Sequence, residues 1–347
     1  KTKKMKDTKF VEIEYKDLVD KKDLAKEIEK GFGPNGLGIV VINNVPKVEE
    51  YRQFLLPKIF QFANLPEDIK GKYVDKESFY SFGWSHGVEK FNGVLDTAKG
   101  SYYNNPTINE ATKDEELATK YPFYLRKNVW PTKEMPDFEK AFHQFGRMLH
   151  NVSTLLGYQC DQYVSALDEN YSPCIEKIIK ESINHKGRAL NYFPLSQEKQ
   201  EAMKKGEGAP DSWCGWHLDH DMMTGLASAM YINAEGKAVD NNDQEAGLYI
   251  KSRTGQLHRG RWKKSQIAFQ IGESSQILSG GKLRATPHCV RGSSEGGVTR
   301  AQFVSFFQPS YNVVLNQPKG AQDTEVPRFK DGMDFATFSV ERFKEYY

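Results

Sequence analysis

Residues 213–226 read WCGWHLDHDMMTGL, and the interpretation of this stretch governs the rest of the chain. It runs into the apolar GLASAMYI (225–232), which reads as a β-strand. Side chains alternate along a strand, so His217 and Asp219 are expected on one face and Leu218 and His220 on the other. One imidazole and one carboxylate on the same face make two adjacent ligand arms for a metal ion.

A third arm is available from ATPHCV (285–290), where His288 falls in another β-like run. Two histidines and one carboxylate on one face of an octahedral ion leave three positions open, the arrangement of non-haem Fe(II) oxygenases. Taken alone, His-x-Asp is a short pattern that also occurs in polar loops with satisfied hydrogen bonds, and its weight comes from its neighbours.

Working outward, the chain after His185 consists of short β-like runs separated by Gly, Asn, Asp and Pro: RALNYF (188–193), GLASAMYI, AGLYIKS (246–252), SQIAFQI (265–271), SQILSGG (275–281), ATPHCV and RAQFVSFF (300–307). This texture predicts a sandwich or barrel. Residues 201–212 and 233–246 read as polar insertions. Before His185, FVEIEY (10–15) and GIVVINNV (38–45) read as strands around a charged helical stretch, and a second helix follows from Val48 to about Phe62. Residues 80–105, rich in Gly, Ser, Asn and aromatics, read as an ordered loop that buries its rings. Phe138, Phe142, Phe145, Leu149, Val152 and Leu156 recur at helical spacing, with Pro136 at the expected start and Gly157 at the expected end. The expected fold is mainly β with a helical annex. An amino-terminal α/β and helical region (1–184) packs, as one integrated unit, against a β core (185–347).

With 347 residues, 38% hydrophobic and 12% aromatic, the chain has ample material for a packed core. Its 48 basic and 46 acidic residues give a net charge of +2, so neither nucleic acid nor an anionic membrane is an expected partner. No apolar run approaches the ~18 residues of a membrane span. The start KTKKMKDTKF reads as a solvated tail. Cys160, Cys174, Cys214 and Cys289 show no paired spacing, so neither a disulfide framework nor a zinc site is expected, and a reducing, cytoplasmic setting is.

The surroundings of the triad resemble the plant-type, isopenicillin-N-synthase-like branch of the 2-oxoglutarate/Fe(II) dioxygenases. The branch's His-x-Asp followed by Thr five residues after the Asp is met by His217, Asp219 and Thr224. Its second-histidine passage, a Gly-acid dipeptide, an apolar strand, a glycine turn and His, resembles IGESSQILSGGKLRATPHCV (271–290) and places His288. An Arg before an aromatic-rich run and a Pro matches Arg300 in TRAQFVSFFQP (299–309), and GLGIVVINNVP (36–46) resembles an amino-terminal block of the branch. The resemblance extends from about Phe10 to Pro309. GWSHGVEK (83–90), KGSYYNNP (99–106), WCGWH (213–217) and ATPHCVR (285–291) look especially like a subgroup found in plants and other eukaryotes.

The resemblance implies a double-stranded β-helix, or jelly roll, with Fe(II) held by His217, Asp219 and His288. It implies 2-oxoglutarate as cosubstrate, with Arg300 on its distal carboxylate. Molecular oxygen and a small-molecule substrate are the other reactants. Two departures stand out: Arg-x-Ser is replaced by Arg300, Ala301 and Gln302, and Asn-x-Tyr by Asn191, Tyr192 and Phe193. Gln302 is the candidate donor in place of the serine, and Asn191 the candidate beside the cosubstrate, with a strand-edge hydrogen bond as its plainer role. The plainer role for Arg300 is an ion pair with Glu295. His220 is expected as a satisfied polar residue and His86 as a loop histidine. Cys214 and Cys289 are expected as small core residues; Trp213, Trp216 and Tyr103 either line a pocket or pack. Phe193 and Gln302 keep open an oxidase of the same fold that does without 2-oxoglutarate, and a non-catalytic binding protein is the third reading.

Overall fold

The computed structural model describes residues 8–88, 90–91, 94–205, 211–321 and 325–346. The basic start (1–7), Glu89 of the GWSHGVEK block and residues 206–210 of the first polar insertion lie outside them. The strands are β1 (Val11–Glu14), β2 (Ile39–Asn43), β3 (Gly83–His86), β4 (Lys90–Phe91), β5 (Val94–Leu95), β6 (Lys99–Asn104), β7 (Lys186–Tyr192) and β8 (Cys214–His217). They continue as β9 (Met223–Ala227), β10 (Met230–Ile232), β11 (Ala238–Val239), β12 (Gly247–Lys251), β13 (Leu257–Gly260), β14 (Ile267–Ile271), β15 (His288–Arg291) and β16 (Thr299–Phe307).

A large sheet runs β1-β2-β14-β9-β16-β7-β6-β3, with β10 and β11 at its side, and a small sheet runs β13-β12-β15-β8. Apart from the parallel β1–β2 pair, the neighbours are antiparallel. Alternation along β16 sorts the two faces of the large sheet. Ala301, Phe303 and Phe307 join the core beneath the helices, while Val304 and Phe306 turn inward to a second cluster shared with Leu248, Ile250 and Val290 of the small sheet. The two sheets therefore close on each other as a jelly roll, and the inward set of β16 also includes Arg300 and Gln302.

The helix Phe138–Leu167 covers the outer face of the large sheet, its Phe142 and Phe145 rings 4.8 and 5.5 Å from that of Phe303. Gly157 does not end this helix, as its position suggested. It lies within it, where a Cβ would stand 3.0 Å from Glu176 Cα, so its bareness lets the helix Ile175–Glu181 approach. Among the described residues no helix is long and apolar enough to cross a membrane.

Three further expectations are corrected. SQILSGG is not a strand: residues Glu273–Leu278 form a helix, ended by Gly280 and Gly281 at φ of 58° and 78°. All six of its residues are buried, so the sequence shows no period by which helix and strand could be told apart. Residues 80–105 are not a loop but supply β3 and β6, whose pairing places Trp84 opposite Tyr102. GLASAMYI is broken between β9 and β10, where the buried Arg52 donates from Nε to Ser228 O (2.7 Å) and from Nη2 to Ala229 O (2.6 Å). The strand β13 had no expectation at all.

Residue 185 precedes β7, but β1, β2, β3 and β6 from before that point share one sheet with β7, β9, β14 and β16. The two portions have a common core. At the junction His185 and His150 both donate to Ile179 O, at 2.9 and 3.0 Å, with their rings 4.9 Å apart. Burial, with His150 beside it, pushes His185 down to about 3.

Two outcomes follow for stability. Phe303→Ala removes a ring with no exposed surface from the helix–sheet core, and urea denaturation should show a loss of about 3–5 kcal/mol. His185 is neutral in the fold and ordinary, near 6.5, when unfolded, so its contribution is full above 6.5 and is lost as pH falls toward about 3. Unfolding free energy of the metal-stripped protein should therefore decline from neutral to mildly acid pH, and more shallowly in His185→Asn.

Candidate metal centre

The candidate ligands converge where the chain crosses from the small sheet to the large one. β8 and β15 are paired with His217 opposite His288, which brings their ring centroids to 4.2 Å. β8 ends at His217, so Asp219 lies beyond the strand rather than on it. Its carboxylate nonetheless reaches both rings: Oδ1 is 3.7 Å from His217 Nε2, and Oδ2 is 3.8 Å from His288 Nε2. Among the described residues this is the group of three ligand-type side chains whose donor atoms all lie within 4.8 Å of one another.

The imidazoles are oriented for ligation. His217 Nδ1 faces Gly215 O at 2.8 Å and His288 Nδ1 faces Thr286 O at 3.2 Å. A carbonyl can only accept, so each Nδ1 carries a proton and each Nε2 turns to the shared point; burial opposes charge on His217, but Cys214 and Asp219 outweigh it and push this imidazole up to about 9, so its Nε2 proton has to leave when a metal binds. Burial pushes His288 down to about 4, with the neighbouring His217 adding to the effect, so it is neutral as ligation requires. Burial opposes the charge on Asp219, but the His288 and His217 imidazoles and the Thr224 hydroxyl outweigh it and hold the carboxyl below its usual range.

Thr224 sits between two carboxyls, 2.6 Å from Asp219 Oδ2 and 3.0 Å from Asp221 Oδ2. A hydroxyl has one proton, which serves Asp219; the contact to Asp221 is then made by a proton on the Asp221 carboxyl. Burial and the nearby Asp219 charge push the Asp221 carboxyl well up, in keeping with a neutral acid there. The Asp221–Thr224–Asp219 chain holds the Asp219 carboxylate in orientation through its Oδ2.

Arg300 lies on the inward face of β16 and is buried, its Cζ 5.0 Å from the Tyr192 ring centroid. Nε and Nη1 of its guanidinium have no hydrogen-bond partner. Glu295 accepts instead from Asn242 N at 3.0 Å, so it does not serve as the ion-pair partner. Gln302 shares the inward face, but its amide donates to Ala227 O at 3.1 Å and is thereby tied to the neighbouring strand. Asn191 is on the wrong face for the role the resemblance gave it. The register sets it beside Ala301 and Gly100, beneath the helices, with both side-chain polar atoms buried and unpartnered.

His220 turns away to Ser339 Oγ (2.9 Å), its ring 5.0 Å from that of Phe343. His86 contacts Thr97 O at 3.3 Å. Trp213 is packed, donating to Phe193 O at 2.9 Å. A cavity of about 630 Å³ opens onto His217 and Asp219, and Tyr103 and Cys214 are in its wall. Cys214 packs against the inner hydrophobic cluster, as its reading as a core residue has it, and also faces this cavity. Lys186, Arg188, Phe306 and Phe343 also line this cavity and were missed; alternation along β7 was the available signal for the first two.

The sequence matches no family model and no curated protein. Solved structures do match. A Caulobacter crescentus protein assigned to the 2OG-Fe(II) oxygenase family superposes with a TM-score of 0.71 at 17% identity, covering 97% of this chain and 99% of that one. The fold is that of the 2OG-Fe(II) oxygenases. A full-length Neurospora crassa protein, solved with alpha-KG and 5-formyluracil, gives 0.68 at 18% identity over 97% and 96% of the two chains. JOX2, solved with 2OG, Fe and JA, gives 0.66 at 17% over 97% and 86%.

The relay through Thr224 can be tested on the metal alone. Thr224→Val keeps the shape and deletes the hydrogen bond that aims Asp219. Titration with Co(II) should show affinity weakened about 10–100-fold, the usual effect of removing a group that orients a ligand.

Proposed function

We propose that the chain is a non-haem Fe(II), 2-oxoglutarate-dependent oxygenase acting on a small-molecule substrate. The observation that carries this reading is a buried guanidinium with two unpartnered N–H-bearing nitrogens, Arg300, lining the same inter-sheet space as two aimed imidazoles and a carboxylate. A buried charged donor without a partner is costly, and a carboxylate gives it a charged acceptor. His217, Asp219 and His288 would hold the iron, and Arg300 the distal carboxylate of 2-oxoglutarate. When bound, iron and 2-oxoglutarate supply oxidation by molecular oxygen, with the cosubstrate converted to succinate and carbon dioxide. The protein's share is to fix the ligand set through Thr224 and the two carbonyls, to anchor the cosubstrate, and to shield the substrate from bulk water within the cavity.

The fold likeness supports this reading, since the Neurospora crassa protein and JOX2 were each solved with 2-oxoglutarate bound. An oxidase without 2-oxoglutarate leaves Arg300 with no anion, and a purely architectural protein has no physical need for the convergence of donors. The four cysteines are free thiols, which supports a reducing intracellular compartment.

Anaerobic addition of Fe(II) and then 2-oxoglutarate should produce the weak visible charge-transfer band of the chelate. Arg300→Ala should weaken 2-oxoglutarate by about 10–150-fold, the equivalent of a charged hydrogen-bonded pair worth about 1.5–3 kcal/mol. His217→Ala should abolish the band. Iron binding with no band at any 2-oxoglutarate concentration would turn the reading to the cosubstrate-independent oxidase, and no iron binding would reject both.

A further inference from the structure

Seven large hydrophobic side chains are exposed among the described residues, and three of them, Phe79 (72% exposed), Val88 (38%) and Val340 (52%), line the cavity beside the triad. They come from three separate stretches of chain: the turn before β3, the segment after it, and the helix Phe335–Tyr346. Exposed apolar side chains scattered singly are ordinary, but convergence on the mouth of one cavity marks a surface that meets an apolar guest.

The fold sets this rim against local preference. Phe79 and Tyr80, which also lines the cavity, both have left-handed backbones, with φ of 55° and 60°. Residues with a Cβ disfavour this conformation, so two in succession stand only because the turn is fastened. Phe79 N donates to Lys76 O and Tyr80 N to Asp75 O, each at 3.1 Å, and the buried Ser78 Oγ accepts from Ser81 N and Phe82 N, each also at 3.1 Å. The result is a phenyl ring held in water at the mouth. On the helix, Val340 and Phe343 are three residues apart and share one face, which lines the same cavity.

Further in, the wall carries the rings of Phe123 and Phe306, and its charged groups are engaged within the fold. Lys99 pairs with Asp96 and Lys344 with Glu341. Arg188 Nε donates to Ser101 Oγ at 2.9 Å, and its Cζ is 4.9 Å from the Tyr103 ring centroid. Asp219 belongs to the triad, and Asp221 is held by Thr224. Lys186 donates to Ser81 O at 2.9 Å and to Phe123 O at 3.1 Å. Burial pushes its amine well down, and a neutral amine has two N–H groups, both used by these carbonyls. A charged guest would give up water for a wall whose charges are already matched, whereas an apolar one gains from the same wall.

We propose that the substrate is an uncharged, elongated apolar molecule whose reacting end lies beside the triad and whose far end leaves the cavity across Phe79, Val88 and Val340. The proposal rests on the oxygenase reading for its reaction, while the binding it describes can be measured without turnover.

The test uses the full chain, anaerobic and loaded with Fe(II) and 2-oxoglutarate, with equilibrium dialysis of 4-ethyl-, 4-butyl-, 4-hexyl- and 4-octylbenzyl alcohol. Each two-carbon step should tighten binding by about 4- to 16-fold, the return on two CH₂ groups half or wholly buried. In the Phe79→Ser/Val340→Ser double variant the final step should shrink to about twofold or less, because those carbons then cross a polar rim. The first step and 2-oxoglutarate affinity should be unchanged, and Phe79→Leu/Val340→Ile should restore the final step. The acid and the amine matched to the hexyl alcohol, 4-hexylbenzoate and 4-hexylbenzylamine, should each bind at least tenfold more weakly than it. A final step that survives the serine variant, or a charged analogue that binds as tightly as the alcohol, overturns the proposal. So does a uniform loss along the series, which would assign Phe79 and Val340 to the fold, or capture of the protein by phosphatidylcholine vesicles through these two residues with the series unaltered, which would make the rim a lipid contact. If the iron band never forms but the metal-free protein shows the same length and charge dependence, the oxygenase reading fails and this inference stands.

Discussion

The site depends on how the chain is held as it leaves the small sheet. Between His217 and Met223 it must cross to the large sheet while keeping Asp219 within reach of two imidazoles that stay behind. The helix Glu273–Leu278 makes this possible. Glu273 N donates to Asp219 O, Ser274 Oγ to His220 O, Ser274 N to Asp221 O, and both Gly272 N and Ser275 Oγ to Met222 O. Four successive carbonyls are thus satisfied by four successive residues of a buried helix start. Each such bond contributes only about 0.5–1.5 kcal/mol net, but together they leave the crossing segment one conformation, and the position of Asp219 is a consequence of it.

The electrostatics of the inter-sheet space make sense on the same terms. Buried polar atoms normally find partners, yet Arg300 Nε and Nη1, Gln270 Oε1, Gln308 Oε1 and Ser85 Oγ do not. Alternation along β16, β14 and β3 turns Arg300, Gln270 and Ser85 to the space between the sheets, and Gln308 lines the cavity. Under the proposed function, bound small molecules would complete these groups. Asn191 has no such account: it is buried and unpartnered under the helices.

How much of this was legible in the sequence follows from which residues keep a readable period. The long helix and β2, β12, β14 and β16 announce themselves, because their apolar residues recur regularly or run unbroken. His217, Asp219 and His288 are legible as a set from residue type and order, although the alternation argument that linked the first two rested on a strand that ends before Asp219. The helix at 273–278 was hidden by burial on every side, and β3 and β6 by Gly, Ser and Asn that dilute the pattern. Asn191 was assigned from its likeness to the Asn-x-Tyr pattern, whereas its face is set by pairing with Ala301, which a single sequence does not display. Lys186 escaped notice because the strand reading began two residues too late, at Arg188.

The carboxyl-terminal helix Phe335–Tyr346 joins these threads. Its Arg342 forms an ion pair with Glu273 at 2.6 Å, with both side chains almost wholly buried. Glu273 is also the residue whose N–H holds the Asp219 carbonyl. One turn earlier Ser339 contacts His220, and one residue after Arg342, Phe343 enters the cavity wall. A buried ion pair is a poor source of net stability, because desolvation offsets much of its attraction, but removing one partner is costly and its geometry is fixed. The pair therefore makes better sense as a device of position than of stability. It fastens one wall of the cavity and the loop bearing Asp219 to one support, so the distance between that wall and the His217–Asp219–His288 cluster is set within a single rigid contact.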